Sequence, residues 1–174
     1  MKKQLLTAMF GILVLLEVSA EPIKLHSANR IESWEYFIGG NGSFDQLNNN
    51  NEKLPDQLKA LKHFIGSFDF AKMKVNKAFD CSNDSTRSYV SSICEPGKQY
   101  AFYIHHSNNT EDQRAKFNDK LSFKIPEGTY RADWVNPLNG NVVKAEYFSV
   151  KKDKHLLTTP EYSVDIALRI IRIL

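Results

Sequence analysis

The chain has 174 residues, with 23 Lys+Arg against 20 Asp+Glu for a formal charge of +3, and it is 42% hydrophobic and 25% charged, ordinary for a globular protein. That length suits one domain with a small appendage, and it excludes a complete TIM barrel, which takes roughly 200–250 residues. Eight Gly and six Pro exclude collagen-like or low-complexity architecture, and so small a charge excess does not point to nucleic acid.

Residues 1–20 read as a secretory signal peptide. Lys2 and Lys3 form a basic start, residues 10–16 (FGILVLL) an apolar core, and Val18-Ser19-Ala20 places small residues before a cleavage point. The apolar run is too short to span about 30 Å of hydrocarbon, and Glu17 interrupts it. The expectation is a secreted or periplasmic protein with no membrane segment after cleavage. In an exported protein the even cysteine count permits a disulfide between Cys81 and Cys94, for which the chain-entropy relation gives about 3 kcal/mol. Two reduced, partly buried thiols are the alternative. The spacing does not suit a CxxC redox or zinc pair.

Residues 26–80 read as helical. Ile31, Trp34, Phe37 and Ile38 recur at helical spacing over 29–38, and Gly39-Gly40 stops the run. A polar loop with the run Asn48-Asn49-Asn50-Asn51 follows. Pro55 then opens a second helix, whose stripe is Leu54, Leu58, Leu61 and Ile65, ahead of Gly66. Residues 67–73 suit a short helical turn.

From about residue 87 the period shortens to that of strands. The expected strands are 87–93, 99–104, 121–125, 129–135, 142–150, 155–158 and 163–170. They are separated by Glu95-Pro96-Gly97, a polar loop over 107–119, Pro126-Glu127-Gly128 and Asn136-Pro137-Leu138-Asn139-Gly140. About seven short strands with frequent turns imply a mainly β protein, an antiparallel β-sandwich. The expected division is 1–20 signal, 21–80 helical segment and 81–174 sandwich. The sandwich is expected to close a core of its own from Tyr89, Tyr100, Phe102, Ile104, Leu121, Phe123, Tyr130, Trp134, Val164, Ile166 and Leu168.

Few residues suggest chemistry. Glu32 and Glu35 share a helix face, but a solvated helix face explains them better than a catalytic carboxylate pair does. His105 and His106 are adjacent on a strand, so they point to opposite faces and cannot easily share a metal. Trp34 and Trp134 fall on apolar stripes and suit the core. An exposed aromatic platform is better sought among Tyr103, Tyr147 and Phe148. Lys151, Lys152 and Lys154 form a basic loop. Asn41, Asn83 and Asn108 head N-x-S/T sequons. No catalytic residue, metal ligand or cofactor site is assigned.

Three segments carry a resemblance. Gly97-Lys98-Gln99-Tyr100-Ala101-Phe102-Tyr103-Ile104, then Pro126-Glu127-Gly128-Thr129-Tyr130, then Trp134-Val135-Asn136-Pro137-Leu138-Asn139-Gly140 are similar in order and spacing to the signature of a collagen-binding domain family. That family forms the C-terminal β-sandwich of apiosidase-like glycoside hydrolases in secreted bacterial proteins. The likeness extends over nearly all of 21–174. Residues 30–40 and 57–73 resemble the end of the (β/α)8 barrel that precedes the sandwich in such proteins. In this chain the signal-like segment stands where the barrel would lie, and Glu21-Pro22 resembles a remnant of a barrel strand end. The resemblance therefore implies an exported, truncated accessory module associated with glycan-degrading proteins, without catalytic activity alone. The implied ligand is a polysaccharide or a matrix protein; the alternative is a fragment of a glycoside hydrolase acting on O-glycosyl bonds. Without a barrel to pack on, the stripes of residues 26–75 are expected to be incompletely buried or completed by self-association.

Overall fold

The computed structural model describes residues 29–48, 56–75, 88–106, 116–151 and 154–174. The signal-like segment, Glu21, Pro22, Leu54, Pro55, Cys81, Asn83, Asn108 and Lys152 lie outside these residues.

Among the described residues three helices come first, α1 (Arg30–Ile38), α2 (Phe44–Asn48) and α3 (Asp56–Gly66), followed by a 3-10 turn over Phe70–Lys72. Asn29 caps α1, its side chain accepting from the Glu32 amide at 2.9 Å. Gly40 lies past the helix end at φ 81°, where a Cβ would stand 2.3 Å from a Val75 methyl. Eight strands follow: β1 (Lys74–Val75), β2 (Tyr89–Glu95), β3 (Gln99–His105), β4 (Lys120–Phe123), β5 (Gly128–Val135), β6 (Val142–Val150), β7 (His155–Thr158) and β8 (Asp165–Arg172). The mainly β, antiparallel class is as expected, and all seven anticipated strands are present.

The strands form a six-stranded antiparallel sheet in the order β1-β2-β3-β8-β5-β6 and a separate β4-β7 pair. The pair covers one face of the large sheet. There Leu121, Phe123 and Leu157 meet Tyr100, Phe102, Ile104, Tyr130, Trp134, Ile166, Leu168 and Ile170. On the other face Ile31, Trp34, Phe37, Leu58, Leu61, Phe64 and Ile65 pack on Ile93, Ala101, Tyr103, Val135 and Ala167. Both tryptophans are buried, and the Trp34 ring stacks on Tyr103 at 5.4 Å between centroids.

Several expectations need correction. Among the described residues of the helical stripes, Ile31, Trp34, Phe37, Ile38, Leu58, Leu61, Phe64 and Ile65 are buried against the sheet's own second face and Phe68 is half-buried, so these side chains call for no second copy to cover them. The stretch after Gly40 contains α2, which places Leu47 in the core. Strand structure begins earlier than 87, because Lys74 and Val75 pair with Cys94 and Ile93. Tyr89 is 54% exposed and lies outside the core, and Val164 packs on the helical side of the sheet. Cys94 is buried in β2, and burial raises its thiol pKa.

The helical layer is therefore part of the sheet's core. A chain truncated to start near residue 79 is expected to lose the cooperative thermal transition of the parent, since Ala101, Tyr103 and Ala167 would face water. Trp34→Ala and Trp134→Ala are each expected to cost about 3–5 kcal/mol in chemical denaturation.

Candidate functional site

Two neighbouring surfaces gather the polar and aromatic groups that a ligand would meet. The first is a cleft of about 270 Å³ at the end of the sandwich, lined by Arg30, Lys116, Asn136, Leu138, Val143 and Glu161 among others. Its floor is an ion pair. Arg30 donates from Nε and Nη2 to the two oxygens of Asp165 at 2.9 and 3.0 Å, and the Tyr103 hydroxyl donates to the same carboxylate at 2.8 Å. Asp165 is buried, and its bidentate partner commits it to a structural role. Burial and the Asp165 carboxylate together push the Tyr103 pKa far above its usual value. Glu161 is exposed and pairs loosely with Lys116 at 3.5 Å.

The second surface is the helix-side face of β5, β6 and β8, beyond the reach of the helices. A bulge at Trp134/Val135 shifts the β5–β6 register, and from there Val143, Ala145, Tyr147 and Ser149 alternate outward along β6. Tyr147 is 66% exposed and pairs across the strands with Arg131, whose guanidinium carbon lies 5.9 Å from the ring centroid. Asp133, only 1% exposed, anchors the strip. It accepts from Arg131 Nε at 2.9 Å and from Arg169 Nε and Nη2 at 3.2 and 2.6 Å.

The residues singled out from the sequence separate clearly. Glu32 is exposed at the first turn of α1, while Glu35 bonds His105 Nε2 at 2.7 Å. His106 points the other way, as the alternation requires, and bonds Asp119 at 2.8 Å while stacking on Phe117. Tyr162 donates its hydroxyl to the same Asp119 carboxylate. Of the three aromatic platform candidates, only Tyr147 is open. Tyr103 is fully buried under α1, which corrects that expectation. Phe148 faces the β4-β7 pair and stacks on His155 at 4.2 Å. Lys151 and Lys154 are exposed. The arginines of the strip escaped sequence reasoning because the Arg131-Asp133 alternation reads as an ordinary polar strand face. Only the arrival of Arg169 from β8 makes it a cluster.

The signature segments are structural. The Tyr100 hydroxyl accepts from the Gly97 amide at 2.6 Å, and Tyr130 donates to the Pro126 carbonyl at 2.7 Å. Trp134 Nε1 donates to Glu146 at 2.9 Å. The Asn136 side chain accepts from the Leu138 amide, and Gly140, at φ 76°, closes the turn against Ala60 of α3.

No family model matches the chain, and no curated protein matches it. Among solved structures it is similar to a glycoside hydrolase, at 17% identity and a TM-score of 0.47 over 76% of this chain. It is also similar to a glycoside hydrolase family 5 protein from Bacteroides vulgatus, at 16% identity and a TM-score of 0.45 over 67% of this chain. The chain spans 28% and 24% of the length of those two chains, and likenesses of this strength fix no family.

Breaking the ion pair of the cleft should be costly. Arg30→Met would leave Asp165 buried without its cation, and a loss of about 3–5 kcal/mol is expected in urea denaturation. A separate pH effect arises at His155, whose pKa burial lowers from 6.5, with Glu146 opposing. Below pH 6.5 the unfolded chain takes up that proton first, so stability falls as pH drops from 6.5 to the folded-state value and then levels off. Comparing denaturation midpoints of the parent and His155→Phe between neutral and acidic pH should show a smaller acid loss in the variant.

Proposed function

We propose that this protein is an exported, non-catalytic accessory module of a glycan-degrading system, and that it binds polysaccharide on the open strip of β5, β6 and β8. The signal-like start supports export. The three signature segments support kinship with the sandwich that follows glycoside hydrolase barrels. The observation that carries the binding role is the Tyr147 ring. A large apolar surface left in water on a rigid, twisted sheet, beside a guanidinium, suits the apolar face and hydroxyl edge of a sugar ring. Val143, Ala145 and Ser149 extend the surface along β6 for roughly 20 Å, at about 3.4 Å per residue, without a bulky side chain to block a linear chain. A collagen-type matrix ligand finds no comparable feature in the cleft, whose charged groups are paired with one another.

The test is binding of the full chain to a panel of insoluble and soluble plant polysaccharides, by pull-down and calorimetry. Saturable binding to at least one is expected. Tyr147→Ala should weaken it about tenfold, as for a truncated aromatic anchor, with an unchanged melting temperature. Binding unaffected by Tyr147→Ala would move the site elsewhere. Release of reducing sugar by the purified chain would overturn the non-catalytic assignment.

A further inference from the structure

We infer that the strip selects acidic polysaccharide, the Arg131 guanidinium taking the carboxylate of a uronic acid whose ring lies on Tyr147; this rests on the glycan-binding reading above. The charge balance is the first ground. Two guanidiniums surround one carboxylate, so the cluster of Arg131, Arg169 and Asp133 carries one net positive charge. The neighbours on that face, Ala101, Ala145 and Ile171 across the strands and Thr129 along β5, carry no charge to offset it.

The second ground is preorganisation. Asp133 is buried and holds both arginines from beneath. It takes one of the five N–H donors of Arg131 and two of those of Arg169. Arg131 keeps 43% of its side chain exposed, so its planar edge is already placed before a ligand arrives. A guanidinium fork of this kind matches a carboxylate in a way that a point-charge ammonium does not. The third ground is register. Arg131 and Tyr147 are direct cross-strand partners, so a charge site and an apolar platform lie within one sugar residue of each other. A neutral sugar would use the ring and leave the excess positive charge without a partner. A single such cluster in a chain of net charge +3 offers too few phosphate contacts for nucleic acid.

The experiment compares polygalacturonate oligomers, the same oligomers fully methyl-esterified, and neutral xylo-oligosaccharides, each titrated into the full chain. The acid form should bind about tenfold tighter than its ester, since the ester keeps the ring and removes the charge. That preference should shrink as salt rises. Arg131→Gln should abolish the preference, and Arg131→Lys should restore part of it. Ser149→Glu adds a carboxylate to an exposed position of the strip without touching Asp133. It should weaken binding of the acid oligomer by a larger factor than binding of its ester, which keeps the test decisive if Arg131→Gln lowers the melting temperature. Equal affinity for acid and ester, or acid binding indifferent to both Arg131→Gln and Ser149→Glu, would overturn the acidic selectivity while the glycan-binding module stands. Failure to bind any polysaccharide, neutral or acidic, would overturn both.

Discussion

Strand β3 has no solvent face. All seven of its residues are buried, Gln99, Ala101, Tyr103 and His105 on one side and Tyr100, Phe102 and Ile104 on the other. A strand of that kind cannot lie in a sheet with one wet face: one choice exposes Tyr100, Phe102 and Ile104, each worth roughly 1.5–3 kcal/mol of burial, and the other uncovers Tyr103 together with the Trp34 ring stacked on it. Two covering layers are therefore obligatory. The β4-β7 pair supplies one and the helices supply the other. The same constraint explains why α1 and α3, each short enough to be marginal in water alone, are held: their stripes and the sheet's second face complete each other.

The helices are too few to cover six strands. They lie over β2, β3 and the near part of β8, with α3 reaching the β5–β6 turn at Gly140. Where they end, the composition of the same sheet face changes, from Ala101, Tyr103 and Ala167 to Arg169, Asp133 and Arg131. Polar anchors also fix the covering layer. The Arg30–Asp165 pair and the Glu35–His105 contact join α1 to β8 and β3, and such directional contacts set the helix's position on the sheet more narrowly than apolar packing does. One residue departs from this economy: buried Trp34 Nε1 has no hydrogen-bond partner among the described residues, a cost offset by the ring's stacking on Tyr103 and its tilted contact with Phe64.

Much of the architecture was legible because its signals are local. The alternation of Tyr130, Ala132 and Trp134 against Arg131 and Asp133 is a period-two pattern, and it assigns the faces of β5 correctly. The Pro-Gly and Asn-Pro turns are equally local. What was not legible depends on partners distant in sequence. Burial of Tyr103 follows from α1 lying over it, and nothing within residues 99–105 distinguishes that face from a wet one. Exposure of Tyr89 follows from its place at the strand end, although its residue type and spacing suited the core. β1 was missed because two residues carry no periodicity, and only pairing with β2 defines them.

The same distinction bears on where function lies. The segments that carry the resemblance are, in this chain, the ones that hold the sheet and its turns: Tyr100 on Gly97, Tyr130 on Pro126, Asn136 on Leu138. Tyr147 and Arg131 stand outside that framework, on a face where β-structure asks only for a side chain that tolerates water. An exposed tyrosine there gains little for stability, since its ring contributes only where it is covered. A carboxylate buried as deeply as Asp133 would be a liability without its two arginines. On the proposed reading, the cluster serves both by the charges it pairs and by the guanidinium edge it presents. A ligand that covers the ring and meets the spare guanidinium edge is the partner that would complete it.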